Sequence, residues 1–492
     1  MTVIQTPMQS VNAIERQMYI NGEWTGAARG RTFAVRNPAT GETVAKVADG
    51  DADDTRRAIQ AAYSAFPEWS RTPAYERAAI LLKVRDLILA HGEELATIIA
   101  LEEGKPIRES RVEIGYSAEF ISFFAEECKR VSGEVFGPGF GDRRFYTIRQ
   151  PVGVAGIITI WNYPSAGITR PVIPALAAGC TVVVKPPEQT PLSAVAIFEL
   201  FEEAGMPPGV ANLVTTMNPD VVGKELLGNP KVRKVSFTGS VEVGKKIMRR
   251  ASGGLKRVTL ELGGHAPFIV FEDADVELAA SHAVASKFQN TGQTCVALNR
   301  IYVHESISNE FTKIFLGLVR KLRMGNPLDD SVDVGPLIDE DGIQKVEEHV
   351  ADALEKGAKL LLGGSRKKDG EFGKGLYFEP TVLSDVTHDM LVMKEETFGP
   401  VAPIATFVSD EEALSYANDS PYGLAVFFYT RDIGRAISFS ERLEYGLVGV
   451  NNARLGAVHI PFGGVKLSGI GKEGGRLGLE EFLETKLVSI GV

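Results

Sequence analysis

Apolar positions in the first 130 residues recur at helical spacing after a short β-like start. Residues 53–66 carry Ala58, Ile59, Ala62 and Phe66, and residues 76–91 carry Ala79, Leu82, Leu87 and Ile88. Apolar side chains three and four apart mark one face of a helix. The second of these stretches is expected to stop at Gly92, and Pro106 to open a helix running through Arg130.

The rhythm changes near residue 150. Residues 154–160, 181–184, 211–214 and 234–237 are short, apolar and rich in β-branched side chains, with helical segments such as 193–204 between them. Strands alternating with helices predict βαβ units and a mostly parallel sheet, which binds ligands beyond the carboxyl ends of its strands. A second alternating stretch spans residues 267–451, with strands expected at 300–304, 401–407, 424–429 and 447–450 and helices at 306–322 and 411–418. Glycine is dense over residues 461–478. A site in the crevice between the two sheet regions is the natural expectation.

Composition narrows the function. The 492 residues suffice for two to four domains. A hydrophobic share of 44% and a charged share of 24% fit a globular chain. The net charge of −10 argues against a nonspecific nucleic-acid binder. No apolar run approaches the roughly 18–20 residues that span a bilayer, so no membrane partner is expected. The start, MTVIQTPMQSVNAIERQM, has neither the basic flank nor the apolar stretch of a secretory signal. Three cysteines make no disulfide framework and fit a reducing, cytoplasmic setting. With no CxxC or HxxxH pair, no metal site is expected.

Several residues could carry chemistry, each with a plainer reading beside it. Cys295 ends NTGQTC, where small and polar neighbours leave room for a substrate; it also reads as a half-buried loop cysteine. Cys128 and Cys180 read as packing residues. Glu261 closes an apolar strand-like run, either as a poised base or as a glutamate at the rim. FTGSVEVG, residues 237–244, follows a strand and opens a helix; it could hold a pyrophosphate or be an ordinary turn. Lys185 and Glu188 follow a strand and could bind ribose hydroxyls or stay solvated. Asn162 could face a developing oxyanion or satisfy turn backbone.

Together the motifs WNYP, VKPPEQTP, FTGSVEVG, LELGG, NTGQTC, EETFGP and PFGGVKLSGIGKEGG occur in the order seen in the aldehyde dehydrogenase superfamily, which the chain resembles from about residue 17 onward. The resemblance implies an α/β fold: a Rossmann-like cofactor domain from residues 1–130 and 151–262, a catalytic α/β domain from 263–460, and a small β oligomerisation element from 131–150 and 476–492. It implies that Cys295 is the nucleophile, Glu261 the general base and Asn162 the oxyanion amide. Lys185 and Glu188 match the adenosine-ribose contacts, Ser240 the pyrophosphate contact, and Glu396 and Phe398 the nicotinamide contacts. Ile160, Trp161, Gly239, Gly244 and Leu262 complete the implied cofactor surface. A thiolate attacks the aldehyde, the thiohemiacetal is oxidised, and Glu261 activates water to release a free acid rather than a coenzyme A ester.

Within the superfamily the chain is most similar to the succinate-semialdehyde dehydrogenase branch, through ITR at 168–170, SKFQNTGQTC, EETFGPVAPI and the ending LETKLVSIGV. Arg170 matches a branch residue that contacts a substrate carboxylate, with Tyr163, Gln289 and Phe462 around the same pocket; Arg170 also reads as a surface helix arginine. Pocket dimensions near Tyr163, Phe288 and Gln289 are expected to discriminate substrates. Four positions depart from the branch: Gln289 stands for a second arginine, Ala457 for a serine, Pro171 for a lysine tied to proton relay, and Ala297 for a second cysteine. The departures leave uncharged aliphatic or aromatic aldehydes as the alternative substrates. A cysteine esterase and a non-catalytic binding protein are the more distant alternatives. A carboxylate at Glu188 favours NAD, with NADP as the second choice. The small-molecule partner is an aldehyde, and a homodimer or homotetramer is expected.

Overall fold

The computed structural model describes residues 15–137, 139 and 141–492. The stretch scanned for a leader lies outside the described residues up to position 14. One sheet has eight strands. Its five central strands are parallel, in the spatial order Arg257–Leu262, Val232–Gly239, Val154–Ile158, Thr181–Lys185, Ala211–Leu213. The strand order reverses between Val154–Ile158 and Val232–Gly239, which places a ligand crevice beyond their carboxyl ends. Antiparallel strands border it: Met18–Ile20 and Glu23–Thr25 at one edge, Gly469–Ile470 at the other. The glycine-rich stretch therefore lies across the strand that bears Glu261.

A second, seven-stranded sheet runs Lys359–Leu362, Thr381–Ser384, Val401–Phe407, Leu298–His304, Ala266–Val270, Ala425–Tyr429, Leu447–Val450. It is parallel except for its first pair. Its central strands Leu298–His304, Ala266–Val270 and Ala425–Tyr429 are buried on both faces, as helix-covered parallel strands must be, while the edge strand Lys359–Leu362 is exposed to half-buried. The strands Arg143–Pro151 and Leu483–Gly491 pair along their full length, and Val135–Phe136 extends that ladder. The three form a separate, largely exposed sheet.

Most expected elements are present, with corrections. The helix Ala74–Ala90 ends at His91, next to Gly92 as expected, but a further helix, Gly92–Glu102, starts at once. The buried face of Ala74–Ala90 is Arg77, Ala78, Leu81, Val84 and Ile88, not the set through Ala79 and Leu82. The run AAILL is apolar on every side, so its spacing does not fix which face turns inward. The first central strand stops at Ile158 instead of residue 160, and residues 160–163 form the turn that matters for the site. Cys128 and Cys180 are buried packing residues.

Candidate active site

The crevice is built from strand ends. After Ile158 the chain passes through Ile160 and Trp161, both half-buried, to the buried Asn162. Thr181–Lys185 ends in a buried lysine whose Nζ lies 2.5 Å from Glu188 Oε2. Burial lowers the Lys185 pKa, and Glu188 opposes that shift. Val232–Gly239 delivers the chain to Ser240, which caps the helix Val241–Ser252 by accepting from the Val243 N–H at 3.3 Å. The hydroxyl proton of Ser240 is not used in that cap and is free, with the helix N-terminus, to donate to an anion. A Cβ on Gly244 would come within 2.6 Å of Leu262, so glycine is what lets this helix approach the sheet. Gly239 likewise lies under the ring of Phe237, 2.4 Å from where its Cβ would stand. A switch-point crevice, a capped helix start and a carboxylate at the next strand end fit a dinucleotide.

The chemical groups converge beside it. Glu261 is buried on Arg257–Leu262, and neither carboxylate oxygen has a hydrogen-bond partner. A Cβ on Gly463 would lie 2.5 Å from Glu261 Oε1, so the loop must be glycine there. Burial, with the neighbouring charge of Glu473, holds the Glu261 carboxyl well above the usual carboxylate range, and Arg170 opposes this. Cys295 is half-buried in the turn between the short helix Gln289–Gly292 and Leu298–His304. Burial pushes its thiol up to about 12, the Arg170 charge pulls it down, and Glu396 and Glu261 add to the rise.

The turn that carries Cys295 is held by buried hydrogen bonds. Asn290 and Thr291 adopt left-handed φ of 48° and 58°. Such conformations persist only where surroundings enforce them. Here Asn290 donates to Glu103 Oε1 at 2.6 Å and to the Asn162 carbonyl at 3.2 Å, and Glu109 accepts the Asn290 N–H at 2.8 Å. One N–H of the Asn162 amide donates to the Gln293 carbonyl at 2.8 Å, which ties the Asn162 turn to the Cys295 turn. A Cβ on Gly264 would fall 2.5 Å from the Cys295 carbonyl. Glu396 closes the same corner: its Oε1 accepts the Gly264 N–H at 2.9 Å, and burial raises its carboxyl to about 7. Phe398, at φ 54°, sets its ring edge-on to Trp161 with centroids 5.4 Å apart.

Arg170 is not a surface helix arginine. It lies on Ala166–Ala178, beside Pro171, with 15% of its side chain exposed. Phe462 covers its guanidinium at 4.3 Å, and Glu473 Oε2 pairs with Nη2 at 2.8 Å. Glu261 likewise is buried instead of at the rim. Tyr163 is half-buried under the Lys105 ammonium, 4.0 Å from its ring centroid. Gln289 is exposed, and Phe288 is buried and packed on Phe315. Sequence reasoning missed Lys105, Glu103, Glu113 and Glu473. Buried Lys105 contacts Glu113 at 2.5 Å, Glu103 at 3.3 Å and the Asn162 carbonyl at 2.7 Å. Glu113 also accepts the Ser165 and Ala166 N–H groups at the start of the Arg170 helix. The one available sequence signal was EEGKP at 102–106, a dense charge cluster inside an otherwise apolar helical region.

A family model described as "Aldehyde dehydrogenase family" matches residues 24–488. The chain belongs to the aldehyde dehydrogenase family. This aldehyde dehydrogenase chain is 48% identical, across 98% of its length and 99% of the relative's, to the NADP(+) succinate-semialdehyde dehydrogenase GabD of Escherichia coli. It is 48% identical over the same shares to a 3-sulfolactaldehyde dehydrogenase of Pseudomonas putida. A crystal structure of an E. coli NADP-dependent enzyme superposes with a TM-score of 0.95 at 48% identity, covering 98% of this chain and 99% of that one. Among the described residues, no helix is long and apolar enough to cross a membrane.

Proposed function

We propose that this chain oxidises a semialdehyde, such as succinate semialdehyde, to the free acid with NAD(P), through a Cys295 thiohemiacetal and thioester. The observation that carries this reading is the clustering of Cys295, Glu261, Asn162 and a buried Arg170 at the mouth of a dinucleotide-type crevice. The names of the similar enzymes, which act on aldehydes bearing a distal carboxylate or sulfonate, support the substrate class.

The Cys295 thiolate attacks the carbonyl, and the second N–H of Asn162 with the Cys295 backbone N–H steadies the oxyanion. One such donor is worth about 2.7–4 kcal/mol in the transition state. NAD(P), when bound, supplies the oxidant that takes the thiohemiacetal to the thioester. Ser240, Lys185 and Glu188 would hold its adenosine half, and Glu396, Phe398 and Trp161 its nicotinamide half, beside Ile160, Gly239, Gly244 and Leu262. Glu261, once deprotonated, draws a proton from the water that cleaves the thioester. Arg170, with Phe462 and Tyr163 beside it and Gln289 at the rim, receives the distal anion.

Residues 1–130 and 151–262 serve as the cofactor unit and 263–460 as the catalytic unit. The sheet from 131–150 and 476–492 serves as the oligomerisation element. Its exposed Val135, Leu487 and Ile490 support a homodimer or homotetramer. Three unpaired cysteines support a cytoplasmic setting.

The test is a single-turnover burst. Glu261→Gln should release about one NADH per active site and then stall as the acyl-enzyme. Absence of any burst, with folded protein and bound cofactor, would contradict the thioester route.

A further inference from the structure

The buried polar atoms around Glu261 are unevenly matched. Glu261 Oε1 and Oε2, Glu473 Oε1 and Arg170 Nε lack hydrogen-bond partners, while Arg170 Nη2 is engaged by Glu473 Oε2 in an ion pair at 2.8 Å. Glu473 pairs with the Arg170 guanidinium, whose charge also acts on Glu261. Position 171, next to Arg170 on the helix, is proline and supplies no second cation. The nearby Lys472 ammonium is turned to the Gly463 and Gly464 carbonyls, at 2.6 and 3.1 Å.

Glu473 is fixed where it is. It exchanges backbone hydrogen bonds with Phe462 in both directions, at 2.7 and 2.8 Å. Gly474 and Gly475 follow at φ 69° and 56°, where a Cβ would meet the Ile460 and His459 carbonyls at 2.7 and 3.0 Å. One β-bridge therefore sets Phe462 on the face of the Arg170 guanidinium and Glu473 on its edge. With only 6% of its side chain exposed, Glu473 cannot be swept aside by solvent.

From this geometry we propose that Glu473 is a specificity-determining residue: a built-in carboxylate that competes with the substrate's distal anion for Arg170 and holds down the preference for anionic over neutral aldehydes. The inference rests on Arg170 being the anion-receiving group proposed above. A substrate carboxylate entering beside Glu473 meets a guanidinium whose charge is already compensated. It gains only what the unfilled Nε donor offers, because Nη2 already faces Glu473 Oε2 at 2.8 Å, and it is repelled by Glu473 itself. An uncharged aldehyde feels neither effect.

The test is a selectivity ratio: kcat/KM for succinate semialdehyde divided by kcat/KM for butyraldehyde. The ratio cancels changes in the chemistry common to both substrates. Glu473→Gln should raise it about tenfold or more, chiefly through a lower KM for the anionic substrate. Inhibition or binding of succinate, measured without turnover, should tighten in parallel in the same variant. Glu473→Asp, with its shorter reach, should move both readouts the same way and serves if the glutamine variant folds poorly. An unchanged or lower ratio in Glu473→Gln, while Arg170→Gln lowers it, overturns this inference alone. A ratio that Arg170→Gln leaves unchanged overturns the anion site, and the inference with it.

Discussion

The Lys105 ammonium donates to the backbone carbonyl of Asn162 at 2.7 Å. Lys105 is 1% exposed, so this bond and its ion pairs with Glu113 and Glu103 lie away from solvent. Through them one lysine joins the Asn162 turn, the Cys295 turn and the start of the Arg170 helix. Removing one partner of a buried pair costs about 3–5 kcal/mol, because the other charge is stranded. Lys105→Met is therefore expected to lower the melting temperature by several degrees and kcat at least about tenfold. Parallel thermal unfolding and steady-state assays check this; unchanged kcat would show that the network is not needed to place Asn162.

Asn162→Ala removes a donor from the oxyanion corner and should lower kcat by about 10²–10³. NADH binding, followed by fluorescence titration, should change little, since the cofactor crevice keeps its other walls. A comparable loss of cofactor affinity would assign Asn162 a different role.

Burial holds both Cys295 and Glu261 in their protonated forms, the thiol at about 12 and the carboxyl well above its usual range. The reacting forms are the thiolate and the carboxylate, so raising the pH populates both. Turnover should rise from neutral into alkaline pH. The stability effect of Glu261 has the opposite sign. Its folded-state pKa exceeds the unfolded value, so the folded chain binds the extra proton between those two values. The stability Glu261 contributes is full below the unfolded pKa and is lost as pH rises through the folded one. Glu261→Gln should therefore flatten the fall in melting temperature with pH while abolishing steady turnover. A pH scan of both proteins by calorimetry and activity checks both signs.

Much of this was legible along the chain. The strands Val401–Phe407 and Leu447–Val450 stand where their apolar runs placed them, because fully buried strands read as unbroken apolar segments bounded by turns. Glu261, Asn162, Ser240 and Glu188 each close or follow a strand and Cys295 stands just before one, positions a sequence can mark. Lys105 and Glu473 were not legible. Their partners, Asn162 and Arg170, come from distant segments, and no local period encodes a contact between them.

Glu188 forms a 2.5 Å ion pair with Lys185 at the end of the second strand of the crevice. A carboxylate there accepts from a ribose 2′-hydroxyl and repels a 2′-phosphate, so kcat/KM should be higher with NAD than with NADP. Glu188→Ser should narrow or reverse that ratio. Efficiency already higher with NADP in the unaltered chain would contradict the assignment.

Gly244→Ala would place a Cβ 2.6 Å from Leu262 and push the helix Val241–Ser252 off the sheet. Overpacking of this kind costs about 1–3 kcal/mol. The Kd for NAD should rise with it, because Ser240 moves with the helix. Calorimetric titration measures the shift; an unchanged Kd would separate the helix start from the cofactor.

The most direct test of the central claim follows NADH formation from succinate semialdehyde and from butyraldehyde by the intact chain and by Cys295→Ala. The account predicts turnover by the intact chain with the semialdehyde favoured, and none above background in Cys295→Ala. NADH formation by Cys295→Ala at the intact rate, or no aldehyde oxidation by the intact chain with either cofactor, would contradict it.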